Sequence, residues 1–312
     1  MKRLLYIICI VTLTGCAKGS SEGVCFDPES LQIANDLSNQ KVSSFAEDVN
    51  GHIWIGTFRG LNRHNVHEYH QYFCTDEENS LPDNQVQCML KDSKERLWVS
   101  TVNGMALYTD KDDFVRIPME TKSRNSVQIL EDKTGRIFIN TSVSLCEYNE
   151  ERGVFEERML LVGPDAQPVS ACFISPDNDL ILAGALSLRI YDPSTMQLKQ
   201  TVPLEGFPTY FAMTPDGVIY MSSHSSHAGF SIYDTDTSSF LEVPSLFKEH
   251  PVFSEAVISY VHASSASDMY INTEKHGLFL YNREEKTLKH QSENGFPFQV
   301  PDVKITCMYT DT

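Results

Sequence analysis

Large side chains recur along this chain inside one repeated pattern: an apolar strand, a polar turn, then a second apolar strand. Six copies align on Trp54, Trp98, Phe138, Leu182, Tyr220 and Tyr270, at spacings of 44, 40, 44, 38 and 50 residues. One such unit has an apolar face and nothing of its own to bury it against, so neighbouring copies must stack. The spacing holds four short strands with their turns, which is the length of a propeller blade. The expected fold is all-β, a β-propeller of four-stranded blades with six blades plus an incomplete seventh.

Each copy reads the same way. Strand a is apolar and falls at 42–46, 86–90, 127–130, 169–174, 210–213 and 257–261. A turn rich in Asp and Gly follows, then strand b: IWIGT, LWVST, IFINT, LILAG, IYMSS and MYINT. Strand c ends near a tyrosine before an acidic turn, and strand d is short, as at 114–117 and 240–243. In strand b, Ile53 and Ile55 face one side and Trp54 the other. Both sides of an inner strand are covered in a stack of blades, so Trp54 and Trp98 belong to the core. Gly51, Gly135 and Gly217 end a–b turns, whereas Glu95 stands at the matching place in the second copy, so that turn is expected to be strained or differently built. The repeats lie near 39–83, 84–123, 124–167, 168–206, 207–253 and 254–299, with a partial copy at 300–312. In that last copy, VKITCMY at 303–309 reads as a seventh strand a. Residues 26–33 read as a strand d without a blade of its own, expected to pair with the final blade. An open seventh blade makes the chain look like an N-terminal piece of a longer protein.

The start of the chain has a different character. Met1-Lys2-Arg3 is basic, an apolar run follows, and Leu13-Thr14-Gly15-Cys16 resembles a lipobox. Residues 1–15 are read as a signal peptide, Cys16 as a lipidation site and 16–25 as a tether. The apolar run is too short to cross a bilayer, which takes about 20 residues. Export places the chain in an oxidising, periplasmic compartment, held to the membrane by a lipid or by a helix downstream of this sequence. Cys88, Cys172 and Cys307 occupy matching contexts in separate repeats and are expected to be buried thiols, leaving Cys25 with Cys74 as the one pairing to test. The net charge of −17 lacks the basic footprint that nucleic acid needs.

The first copies carry a family likeness. Leu37-Ser38-Asn39, Val42, Glu47-Asp48, Gly51, Ile53-Trp54-Ile55-Gly56-Thr57, Gly60-Leu61 and Arg63 form one motif, and Leu81, Asn84, Val86, Asp92, Leu97-Trp98-Val99, Thr101 and Gly104 repeat it. This resembles the two-component regulator propeller repeat, found in the periplasmic sensor region of hybrid histidine kinases of the Bacteroides type. The likeness fades through the later copies. It implies an extracytoplasmic sensor, homodimeric through its full-length receptor, with an oligosaccharide or other small ligand, no cofactor, and its kinase outside this chain. The lipobox departs from the pattern of a receptor that later crosses the membrane.

Propeller topology puts the b–c turns and d–a connections on one face, where small ligands meet the central channel. That face is expected to offer Phe58, Arg59, Asn103, His224, His227, Lys275 and His276 as ligand-binding residues, with Asn39 and Asn84 from the connections. Arg, Lys and His suit carboxylate or sulfate, and Asn suits hydroxyls. His64, His67 and His70 lie on a strand and its turn, where their spacing scatters them, so no metal site is expected. No Ser-His-Asp context or carboxylate pair signals catalysis. The competing classes are an exported propeller lyase or hydrolase using His224 and His227, and a surface lipoprotein scaffold. Lipidation is tested by metabolic labelling with a radioactive fatty acid: the label is expected on the expressed protein and absent from Cys16→Ala.

Overall fold

The computed structural model describes residues 6–11, 31–34, 36–65, 68–162, 169–223, 230–255, 257–297 and 304–310. Six antiparallel sheets of the expected a-b-c-d order stack around a ring. Blade 1 is Val42–Glu47, Ile53–Thr57, Gly60–Asn65 and Glu68–Tyr72, and blade 2 is Val86–Lys91, Leu97–Thr101, Gly104–Tyr108 and Phe114–Ile117. Blade 3 is Gln128–Glu131, Ile137–Asn140, Ser144–Asn149 and Val154–Leu160, and blade 4 is Val169–Ile174, Leu180–Gly184, Ser187–Tyr191 and Leu198–Pro203. Blade 5 is Pro208–Met213, Val218–Ser223, Phe230–Asp234 and Ser239–Leu241, and blade 6 is Ile258–Ala263, Asp268–Thr273, Gly277–Asn282 and Thr287–His290. The inner strands of neighbouring blades pack on one another, and Lys304–Thr310 fills the gap between blade 6 and blade 1. The seventh inner strand is therefore in place, with Ile305 and Met308 against Tyr270 and Cys307 against Phe45 and Ile55.

The core lies between blades. Trp54 is fully buried and packs with Val86, Leu97 and Phe114 of the next blade, while Trp98 does the same against Ile129, Ile137 and Phe155. The polar turn before each tryptophan explains why an indole fits there. The Asp48 carboxylate accepts the Trp54 indole N–H at 2.9 Å and the backbone N–H groups of Asn50 and His52 at 2.9 and 3.0 Å. Asp92 repeats this with Trp98 at 2.8 Å and with Lys94 and Arg96 at 3.0 and 2.8 Å. In blade 3, Phe138 has no N–H to give, and Arg136 takes the Asp132 carboxylate at 2.6 Å. Blades 4 and 5 have Ser175 and Thr214 at this place, each closing its turn through a hydroxyl, and their strand b carries Leu182 and Tyr220 in place of tryptophan. An indole without its acceptor would leave a buried unpaired donor.

Several expectations need correction. Leu31–Ala34 pairs antiparallel with Glu68–Tyr72 as a fifth strand outside blade 1, not with the final blade. The connection to Val42 is only a few residues long, at no more than about 3.6 Å each, and keeps the strand beside its own blade. Strand d of blade 5 stops at Leu241, and the chain continues into two short helices, α1 (Ser245–Glu249) and α2 (Pro251–Glu255), which no sequence period announced. A two-residue strand, Met119–Glu120, adds to blade 3 in parallel. Glu95 adopts the left-handed conformation, φ 63°, that Gly51 and Gly135 adopt in their turns, so the second turn keeps the shape and carries the strain. Cys74 is a free thiol, and Cys25 and Cys16 lie outside the described residues. Cys172 and Cys307 are buried free thiols as expected; Cys88 is half-buried, and burial pushes its thiol up to about 12. The segment read as a signal peptide supplies a strand, Tyr6–Val11, which pairs antiparallel with Lys304–Thr310. A signal removed on export would vacate that edge.

Two outcomes follow from this packing. Trp54→Ala removes the wedge between blades 1 and 2 and orphans part of the Asp48 cluster. Chemical denaturation is expected to show a loss of about 3–5 kcal/mol, whereas a wedge unimportant to the ring would leave the midpoint in place. His262 lies opposite Tyr270 on the side of blade 6 that faces the seventh strand, and burial lowers its imidazole to about 4 from 6.5. The unfolded chain then binds more protons than the folded one between those values. Stability is expected to be complete above pH 6.5 and to fall as pH drops towards 4, with a weaker dependence in His262→Leu, read from thermal midpoints across that window.

Candidate functional site

One face of the ring is built by a repeated device. Each strand b that ends in Thr uses it to staple the following turn. The Thr57 hydroxyl donates to the Gly60 carbonyl at 2.7 Å and accepts the Arg59 N–H at 3.1 Å. Thr101 donates to Gly104 at 2.9 Å, Thr141 to Ser144 at 3.0 Å and Thr273 to Gly277 at 3.0 Å. Gly60 has φ 110°, and a Cβ there would lie 2.8 Å from the Phe73 ring. The turns are then tied to the d–a connections: Gly60 N–H donates to the Asn84 carbonyl at 2.6 Å, Val102 N–H to Gln85 at 3.0 Å and Leu161 N–H to Val143 at 2.7 Å. The b–c turns and d–a connections therefore share one face, as the topology predicts.

This frame presents Phe58, Arg59, Asn103, Lys275 and His276, all exposed. Lys41 lies over the Phe58 ring at 3.6 Å. The blade 6 turn is braced from outside by His290, whose Nε2 meets the His276 carbonyl at 2.8 Å. Asn103 lines a cleft of about 340 Å³ with Pro82, Arg116 and Arg124. Arg116 is spent on the carbonyls of Thr75, Glu77, Ser80 and Leu81, while Arg124 is exposed. Arg59, Lys275 and His276 are not among the walls of that cleft, so the expected residues are spread around the rim and not gathered in one pocket. Asn39 and Asn84 are structural: their side-chain oxygens accept the backbone N–H groups of Lys41 and Cys74 at 2.8 and 2.7 Å. His224 and His227 lie outside the described residues, as does His67. His70 bonds Arg63 and Glu68, and His64 packs on Tyr69. Among the described residues no group of His, Cys, Asp or Glu is arranged to hold a metal ion.

The structure adds an inner ring that sequence reasoning missed. Strand a carries a bulge at its second position in five blades, between Val42 and Ser44, Val86 and Cys88, Val169 and Ala171, Pro208 and Tyr210, and Ile258 and Tyr260. The extra residue is Ser43, Gln87, Ser170, Thr209 or Ser259, polar in every case. These residues sit on the innermost strand at the end that meets the b–c turns, where a bulge frees a residue from the ladder. The signal was legible: a polar residue following the first residue of an otherwise apolar strand. Exposed apolar side chains in the turns and connections of this face include Phe58, Val162, Leu186 and Phe207.

Residues 36–59 and 80–103 match the model of the two component regulator propeller, one in each of the first two repeats. The chain is similar in fold to the extracellular domains assigned to two hybrid two component systems of B. thetaiotaomicron. For BT3049 the TM-score is 0.68 at 15% identity, covering 90% of this chain and 39% of that one. For BT4673 it is 0.67 at 15% identity, covering 88% and 40%. This chain thus spans about two fifths of those ectodomains. It is also similar in fold to virginiamycin B lyase from Staphylococcus aureus, with a TM-score of 0.64 at 14% identity over 87% of this chain and 89% of the lyase. No curated protein sequence matches. No helix among the described residues is long and apolar enough to cross a membrane.

The turn staple is testable. Thr57→Val keeps the shape of the side chain but removes the hydrogen bonds of a buried hydroxyl to Gly60, Arg59 and Ser38. It is expected to cost about 1–3 kcal/mol and to speed amide exchange at Arg59, measured by hydrogen exchange; protection equal to the parent would mean the turn is held elsewhere.

Proposed function

We propose that this chain is the exported, ligand-sensing propeller of a two-component signal transduction system, binding an oligosaccharide and signalling to a histidine kinase outside this chain. The observation that carries the reading is the pair of repeats matching the two component regulator propeller, in a ring whose channel-mouth face holds rigid turns. A polar ligand would lie across Ser170 and Thr209, the exposed bulge residues, with Phe58 as an apolar platform and Arg59, Asn103, Lys275 and His276 at the rim. The same reading gives His224 and His227 a ligand-binding role, although both lie outside the described residues. Signalling would follow from ligand-biased packing of a receptor homodimer held at the membrane by the Cys16 lipid or a downstream helix. The test is isothermal calorimetry with oligosaccharide pools from acidic and neutral glycans. Arg59→Ala or Lys275→Ala is expected to weaken binding about tenfold if a charge-assisted contact is lost. Unchanged affinity in both variants would move the site off this face.

A second reading is favoured by one observation: the lyase matches over nearly its whole length, whereas the sensor ectodomains extend well beyond this chain. In that reading His224 and His227 would act as general bases or metal ligands. Incubation with a streptogramin B is expected to leave the substrate intact; turnover that disappears in His224→Ala or His227→Ala would favour the enzyme.

A further inference from the structure

Between blades 1 and 2, 2 and 3, and 4 and 5, the outer part of the inter-blade space is filled by a buried residue of strand d: Tyr72, Ile117 and Val202 respectively. Blade 5 supplies none. Its strand d is three residues long and wholly exposed, with Phe240 at 50% and Leu241 at 38%. The chain then turns into α1 and α2, whose Phe247 and Phe253 pack beside Phe230 and Phe279, Phe247 also against Tyr281. Next to them a cavity of about 680 Å³ stays open between blades 5 and 6.

The cavity has a defined chemistry. Its walls include Tyr220, Ile232, Leu246 and Tyr281, and Arg283 and Lys286 also line it. The two cations differ. Arg283 is held by Asp216 and by the Tyr220 hydroxyl. Lys286 is exposed on the c–d turn of blade 6, with no hydrogen-bond or ion-pair partner among the described residues. Of the nearby carboxylates, Asp216 is paired with Arg283, Glu242 of the cavity wall lies 3.6 Å from Lys248, and Glu284 and Glu285 share the exposed turn of Lys286. Lys286 is therefore the wall cation without a direct ion pair, at the edge of an apolar, partly aromatic chamber.

We propose that this cavity is a second ligand site, separate from the channel-mouth face, for a small organic anion with a flat apolar body of one or two rings and a single carboxylate or sulfonate. The volume lies within the roughly 300–1,000 Å³ of small-molecule sites. Apolar contact with the ring body supplies the driving force, and the anionic group meets Lys286 in a charge-assisted contact. A cationic ligand would face Arg283 and Lys286 at close range, and a fully polar one would leave the apolar walls wet. The inference does not depend on the sensing role proposed for the other face.

The probe is anilinonaphthalene sulfonate, which has two linked aromatic systems and one sulfonate. Fluorescence titration of the parent protein is expected to show one saturable site. Lys286→Glu is expected to weaken it about tenfold, and Ser245→Trp, which places a ring at the cavity wall from an exposed position, to abolish it. Arg124→Ala on the opposite face should leave it unchanged, and thermal midpoints close to the parent's would show that the variants fold. Absence of a saturable site, or binding unchanged in either Lys286→Glu or Ser245→Trp, would overturn the proposal, because the dye would then be reporting exposed apolar side chains elsewhere.

Discussion

The fold depends on a carboxylate placed just where strand a turns into strand b. In blade 1 the Asp48 carboxylate organises two backbone amides of the turn and the indole of Trp54. Burial alone would raise that carboxyl, but the hydrogen bonds from Trp54, His52 and Asn50 hold it below the usual carboxylate range. One group thereby fixes the turn, aims the largest side chain of the blade and fixes the spacing to the next blade. Where the carboxylate is replaced by a hydroxyl, as at Ser175 and Thr214, the tryptophan is gone as well. In blade 3 the carboxylate stays as Asp132 without a tryptophan and turns to Arg136, so the dependence runs one way: a buried indole N–H needs its acceptor.

On the opposite face the organising group is a hydroxyl. Thr57, Thr101, Thr141 and Thr273 close their b–c turns over the carbonyl that opens strand c. The exposed residues of each turn are then free to vary in chemistry, because the backbone beneath them is fixed by a buried hydrogen bond. This division gives the ring one face of buried carboxylates and inter-blade ion pairs, such as Arg63 with Asp112 and Arg96 with Glu150, and another of rigid turns carrying variable side chains. A binding role fits the second face better for that reason.

Much of this was legible before any coordinates. The aligned residues of strand b marked every blade, and strand 169–174 was placed to the residue, because buried inner strands leave a strong apolar signal. The place of Glu95 in the repeat marks an unusual turn, and the structure decides that it keeps the left-handed shape. Less legible were the outer elements. Strand d of blade 5 and the helices after it have no repeat to copy, and their ends are set by Phe247 and Phe253 packing on blade 6. The candidate site was half visible. The turns fell on the expected face, but the structural duties of Asn39 and Asn84 could not be read from side chains that look equally fit for a ligand.

By itself the sequence determined the blade: its strand order, its buried face, and the pairing of Asp with Trp that recurs in the first two copies. Those are local properties, repeated at a fixed period, and period survives in one dimension. The tertiary structure decided what lies between blades. It seated Lys304–Thr310 as the seventh inner strand, bulged strand a at a polar residue in five blades, and left an open cavity beside the short strand d of blade 5. These depend on which side chains from distant copies meet, and on how well they fill the space they share, so only packing could settle them.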